Sequence, residues 1–392
     1  MKKDSMITIK KIAACALWTG ATGLFSINYA VAGIPIEQWT QPSGVQVFLA
    51  QSPVIPMLDL QIDFDAGSRR DPPGQAGLAS VTAGMAGKGV LARQGAGGTE
   101  PALDENALGE AWADLGASFG ASASADRLSF SLRSLTYPDL LGKAVHLAAR
   151  QLGEPAFPQA IWLRERETLN AALKEANTRP ATLAGRAFNQ AVYGAHPYSF
   201  EMTPDSLARI GVDHMKAVYG ALIQPCRAKV TLVGAVNRAQ ADDLVTQLFA
   251  RLSPAGSVPA VCPALPAVAD VVPLDQPAEQ RIAFDSAQAQ VLIGQPGYKR
   301  DDPDFFAFTV GNYILGGGGF VSRLTTEVRE KRGLSYSVYS YFSPGLHAGA
   351  FTVGLQTRPD QADQAVKVSG DVLADFVANG PPRPSCRRPK TT

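Results

Sequence analysis

Residues Gly311–Phe342 read GNYILGGGGFVSRLTTEVREKRGLSYSVYSYF. An apolar helix end runs into four glycines, Gly316, Gly317, Gly318 and Gly319. A second helix is expected over Val321–Arg332, with Val321, Leu324 and Val328 on one face and Gly333 suited to a left-handed stop. Arg329 then falls in its last turn. A strand is expected over Leu334–Phe342, with Leu334, Tyr336 and Val338 on one face. A guanidinium and a phenol thus stand seven residues apart across a helix-to-strand corner. Both donate hydrogen bonds, so the corner has the chemistry to hold a peptide carbonyl or the oxyanion made from it. By spacing alone, a solvated helix-end arginine and a sheet-packed tyrosine explain the same pattern.

Working outward, the corner belongs to a set of elements that occurs twice. The second occurrence comprises strands Ile282–Ala287 and Ala289–Gly294, helices Pro303–Leu315 and Val321–Arg332, a hairpin of Leu334–Phe342 with Ala348–Gln356, and a helix at Pro359–Ala378. The first opens in the same order. It has strands Val45–Ala50 and Leu58–Ala66, helices Gln75–Lys88 and Leu103–Leu115 (Asp104 as its cap), and a hairpin of Ser118–Ala125 with Arg127–Leu135. Helices Asp139–Leu152, Pro158–Asn177, Pro180–Val192 and Val212–Leu222 follow, then strand Ala228–Val236 and helix Ala239–Leu252. Strands and helices mix without strict βαβ alternation, which gives an α+β fold. Between the two sets, Ser253–Pro277 holds six prolines, enough to exclude a continuous helix or a central strand. The expected organisation is a signal peptide over 1–32, a first domain over 33–253, a linker over 254–277, a shorter second domain over 278–380 and a tail over 381–392. From Gly380 the sequence GPPRPSCRRPKTT is proline-rich, basic and aperiodic, and reads as foreign to an incomplete second domain.

The chain has 392 residues, 46% hydrophobic and 18% charged, in the range of a soluble globular protein. A net charge of +1 gives no electrostatic case for nucleic acid as a partner. Lys2, Lys3, Lys10 and Lys11 precede a short apolar run, Ile12–Phe25, and Ala30-Val31-Ala32 offers small residues for cleavage before Gly33. The expectation is export to the periplasm with no stable membrane span. Cys15 leaves with that segment. Cys226, Cys262 and Cys386 remain without any CxxC, which excludes a zinc ribbon or thioredoxin-like site. An exported location permits a Cys226–Cys262 disulfide, and the spacing leaves its existence open.

GNYILGGGGFVSRL followed by VREKRGLSYSVYS resembles the second domain of the pitrilysin-type zinc peptidases, the M16 family, which includes insulin-degrading enzyme and the mitochondrial processing peptidase. The resemblance extends over most of the chain. FDAGSRRDPPGQAGLA is similar to the approach to that family's zinc helix, and LGASFGASASADRLSFSLRSL to the hairpin after it. RERETLNAAL is similar to the helix bearing the distal zinc ligand. VYGAHPYS and AKVTLVGAV resemble a recurrent loop and the closing strand. The resemblance implies two similar LuxS/MPP-like metallohydrolase domains, each an antiparallel-rich sheet flanked by helices.

In that family the zinc helix reads H-x-x-E-H, two imidazoles one turn apart with a glutamate base. The matching positions here are Ser80, Ala83 and Gly84. The distal carboxylate position is Ala172, counted from Glu165-Arg166, while Glu165 matches the family's supporting glutamate. All three ligands and the base are replaced, so the expectation is that this chain binds no metal or other cofactor. The four histidines, His146, His196, His214 and His347, stand far apart in sequence. His146 and His196 read as structural, His214 and His347 as solvent-facing. Gly116–Gly120 matches G-x-S-x-G, but a helix precedes it and a strand follows, the reverse of a nucleophile elbow. The run Gly316, Gly317, Gly318 and Gly319 lacks the strand and G-K-[ST] of a phosphate loop and reads as a substrate loop, a flexible hinge or a close approach to substrate backbone.

What the resemblance implies is a subunit with half of an active site. Arg329 and Tyr336 would bind the carbonyl or oxyanion of a peptide substrate in trans, at a Zn2+ held by an H-x-x-E-H partner in a heterodimer. Two rival expectations stand beside it: a non-catalytic scaffold of degenerate type, and a non-functional fragment.

Overall fold

A computed structural model describes residues 34–95, 98–252 and 262–381. The expected signal peptide, part of the linker and nearly all of the tail lie outside these residues. The first sheet is built from β1 (Ile36–Thr40), β2 (Gln46–Gln51), β3 (Met57–Phe64), β4 (Ser118–Ala123), β5 (Leu128–Leu135) and β6 (Lys229–Gly234), in the order β1-β2-β6-β3-β5-β4. Alternation sets its register: Leu58, Leu60, Ile62 and Phe64 of β3 and Leu128, Phe130 and Leu132 of β5 all point inward. β6 slots between β2, to which it is parallel, and β3, to which it is antiparallel.

Helices α1 (Leu78–Met85), α2 (Glu105–Asp114), α3 (Pro138–Gly153), α4 (Gln159–Ala176), α5 (Pro180–Tyr193), α6 (Val212–Leu222) and α7 (Arg238–Phe249) complete this region. Asp104 caps α2 by accepting from the Ala107 amide at 2.9 Å, as the sequence suggests. Phe64, Phe130, Leu152 and Trp162 sit fully buried in one large core. Each such side chain contributes roughly 1.5–3 kcal/mol through the apolar surface it removes from water.

The second sheet has three strands, β7 (Ala289–Pro296), β8 (Val338–Phe342) and β9 (Ala350–Thr357), in the order β7-β9-β8. Both of its pairings are antiparallel, so it reproduces the β3-β5-β4 side of the first sheet. A small core of Leu315, Leu324, Val328, Leu334, Val338, Val353 and Leu355 lies under it, closed by α9 (Ala362–Asn379). On the opposite side the Phe188 ring of α5 closes on Gly294, where a Cβ would meet it at 2.7 Å. From Ile36 onward the described chain packs as one compact unit.

Several sequence expectations need correction. Ile282–Ala287 is not a strand. Its counterpart β2 is held by β6, and among the described residues the second sheet has no strand in that central position, so the segment has no ladder to join. β1 was not anticipated, because IEQWT shows little apolar alternation. The expected helix Val321–Arg332 is a 3-10 turn at Gly319–Val321 followed by a π-helical stretch at Thr325–Glu330. α8 (Phe305–Asn312), FFAFTVGN, buries no residue. Its counterpart α1 is covered by α6, and the described chain supplies no such cover here. Cys226 and Cys262, left open by sequence, form a disulfide with Cα atoms 5.5 Å apart. It ties the turn before β6 to the linker. No described helix is long and apolar enough to cross a membrane.

Candidate functional site

Two π-type turns shape the glycine corner. The Gly318 amide donates to the Tyr313 carbonyl at 2.8 Å and the Lys331 amide to that of Thr326 at 3.0 Å, each reaching back five residues. Gly316 lies against β8, where a Cβ would fall 2.4 Å from Ser340 Oγ and 2.5 Å from its amide nitrogen. Asn312 locks the same contact, donating to the Ser340 carbonyl and accepting from its hydroxyl. Gly319 needs its freedom for φ of +59°. At Gly316 the close approach is to the chain's own β8, while a Cβ at Gly319 would meet nothing within 4 Å.

Gly333 takes the left-handed conformation at φ 61° and stops the second helix, as its position suggests. Its amide donates to the Arg329 carbonyl at 2.8 Å. Tyr336 stands just before β8, not within a strand. The Ser335 hydroxyl engages the Gln356 and Ser337 carbonyls, pairing starts at Val338, and the phenol is left 83% exposed. The Arg329 guanidinium packs over the Tyr336 ring at 4.5 Å and over Phe320 at 4.8 Å. Glu327 is engaged by Lys331 and Arg332. Among the described residues Arg329 has no carboxylate within ion-pair distance, so its N–H donors are held in place and unspent. Sequence reading brought Arg329 and Tyr336 together but missed Phe320, an aromatic directly after the glycines.

The four replaced positions lie on two helices. Ser80 and Gly84 are on the exposed side of α1, Ala83 on its buried side, and Ala172 is exposed on α4. The α1 framework is intact. Asp71 caps it, accepting from the Gly77 and Ala79 amides at 2.8 and 2.9 Å. Burial pushes the Asp71 carboxyl up to about 6 against the pull of those amides. Past the end of α1, Lys88 Nζ lies 2.6 Å from Glu105 and 3.2 Å from Glu165. Burial works to raise the Glu165 carboxyl, but Arg164 and Lys88 outweigh it and hold it below its usual value. A hydroxyl, a hydrogen and two methyls give zinc no imidazole or carboxylate, so the residues at these positions do not fit the family's metal. Among the described residues no group of three or more His, Cys, Asp or Glu side chains could hold an ion.

The histidines fall elsewhere. His146 contacts Glu100 at 3.1 Å, and His214 accepts from the Gly211 amide at the start of α6. His196 is buried, as a structural loop residue would be. His347, expected to face solvent, is instead enclosed beside Asp270 and His196.

A family profile described as "Peptidase M16 inactive domain" matches residues 209–388. The crystal structure of a peptidase M16 inactive domain from Pseudomonas fluorescens superposes with a TM-score of 0.81 at 32% identity, covering 90% of this chain and 81% of that one. The chain belongs to the peptidase M16 family. A relative described as an uncharacterized zinc protease of Streptomyces coelicolor is 33% identical over 180 residues, 45% of this chain and 38% of its own length. The Helicobacter pylori protein named "Non-peptidase homolog YmxG" is 26% identical over 353 residues, 88% of this chain and 76% of that protein. The α+β architecture is that of M16, and both the profile and the Pseudomonas fluorescens structure are described as M16 inactive domains.

Proposed function

We propose that this M16 chain is the non-zinc subunit of a two-part peptidase and supplies Arg329 and Tyr336 to a peptide substrate at a partner's metal. The single observation that carries the reading is the corner itself. The Arg329 guanidinium lies against the Phe320 ring and that of Tyr336, which is 83% exposed, with no carboxylate to occupy it among the described residues. Donors fixed before substrate arrives stabilise developing negative charge without reorganising. Arg329 would hold the scissile carbonyl oxygen and Tyr336 would donate to the oxyanion. The partner's H-x-x-E-H helix would supply zinc and the base that Ser80, Ala83, Gly84 and Ala172 cannot. In this reading the chain acts in the periplasm after removal of residues 1–32.

The test is peptide hydrolysis by this chain combined with an H-x-x-E-H subunit. Neither chain alone is expected to match the mixture. Arg329→Ala and Tyr336→Phe should each lower the mixed rate roughly 10²–10³-fold without weakening assembly. A mixed rate unchanged by both substitutions would overturn the reading and leave the scaffold alternative.

A further inference from the structure

Besides the apolar contact of α5 with β7, the second region meets the first through a polar seam. The loop between β8 and β9 presents Gly345, Leu346 and His347 to two turns of the first region, one holding Asp126 and one holding His196 and Tyr198. The Leu346 amide donates to Asp126 at 2.9 Å, and the Tyr198 hydroxyl donates to the same carboxylate at 2.6 Å. The His347 amide closes the circuit by donating to the Tyr198 oxygen at 3.2 Å. A Cβ at Gly345 would fall 2.6 Å from that oxygen and 2.7 Å from Asp126, so only glycine fits there. The His347 ring bonds Asp270 of the linker at 2.8 Å, and Lys299 pairs with the same carboxylate.

His196 sits in the middle and is 7% exposed. Its Nδ1 accepts the Tyr198 amide at 3.1 Å, which requires an unprotonated Nδ1. Its Nε2 is buried without a partner in bonding geometry, with the Ala269 backbone beside it. The His347 ring lies 5.0 Å away, centre to centre. Every element around His196 brings a titratable or charged group: Tyr193 and Tyr198 from its own turn and α5, Asp126 and Arg69 from the first sheet's loops, Asp270 from the linker, and His347 and Lys299 from the second region.

We propose that this seam is a proton-operated clasp, with His196 taking up the proton and the Gly345–His347 loop then letting go of Asp126 and Tyr198. One proton enters, on Nδ1. It displaces the Tyr198 N–H, leaving that amide without an acceptor, and sets an imidazolium against the His347 ring. Burial, and then His347, hold the His196 ring below its ordinary 6.5. A group depressed by folding in this way favours the closed state at high pH, and the advantage is lost as pH falls below 6.5. The clasp acts on the relation between the two sheets and is independent of the Arg329 and Tyr336 reading.

Hydrogen exchange of the full chain tests it, read at the Leu346 and His347 amides and corrected for intrinsic rate. Compared between about pH 7.5 and about pH 5.5, protection there should be level above 6.5 and fall below it, by at most about tenfold per pH unit. His196→Asn keeps an acceptor near the Nδ1 position but cannot be charged, and should stay protected across the range. His347→Asn removes one of the two influences that hold His196 below its ordinary value and should shrink the loss of protection at low pH. Equal protection at both pH values in the wild type would overturn the proposal. So would a wild-type pH response surviving in His196→Asn.

Discussion

In the proposed reading the α1 helix and the glycine corner match the two halves of an M16 catalytic arrangement, and the structure presents opposite things in them. α1 keeps its framework. It is capped by Asp71, covered by α6 and packed through Leu78, Val81, Ala83 and Met85, while Ser80 and Gly84 carry no ligand. The corner keeps its donors. Its glycines and π-type turns hold Arg329 and Tyr336 outward, while the neighbouring α8 lies uncovered. A folding role preserves packing and leaves the surface free to change; a chemical role preserves exposed side chains that packing does not require. Arg329 and Tyr336 contribute little to any core, which is why their geometry points to chemistry.

The contrast can be broken most directly by rate. In the mixed peptidase, Ser80→Ala should leave turnover unchanged, whereas Arg329→Ala should lower it roughly 10²–10³-fold. Equal effects would erase the distinction. Next comes the support beneath the donors. Gly316→Ala forces a methyl into Ser340 and should destabilise the second region by about 1–3 kcal/mol in a denaturant titration.

Asp71 sharpens the other side. Folding raises its carboxyl from 3.8 to about 6, so the folded state binds the proton more tightly than the unfolded state. Its contribution to stability therefore declines as pH rises through that window and is flat outside it. Relative to wild type, Asp71→Ala should lose this slope and about 1 kcal/mol of capping, measured from urea midpoints across pH. The smallest effect is expected at Gly84, where a Cβ meets nothing within 4 Å. Gly84→Ala should add about 0.5–1 kcal/mol, since an exposed helix glycine with no steric duty only weakens the helix.

Alternation and helical periodicity made most of the first sheet and its helices legible, including β3, β5 and the Val212–Leu222 helix, whose ends match. Seven-residue spacing across a glycine stop puts Arg329 within reach of Tyr336, but only the family resemblance singles them out as a pair. What escaped depends on partners far away in sequence. Ile282–Ala287 has strand composition, but a strand forms only where a ladder exists, and β2 has ladders with β1 and β6. Tyr336 fits the alternation of β8, yet the Ser335 hydroxyl takes the carbonyls there and delays the ladder to Val338. The π-type turns at Tyr313–Gly317 and Thr325–Glu330 preserve an apolar face close enough to 3.6 residues to read as ordinary helix. His347 looked solvent-facing because nothing local in SPGLHAGA indicates that Asp270 and His196 meet it.

The placement of β6 also sets an order of events. Lys229 pairs with Gln46 on one side and Asp63 on the other, so the centre of the first sheet closes with a segment made long after both neighbours. Until Lys229–Gly234 emerges, β2 and β3 each present an open edge, the form of strand most prone to pairing with the wrong chain. Such non-local closure slows folding. A nascent chain halted before β6 would hold most of the first core's sequence and still be unable to join its two halves.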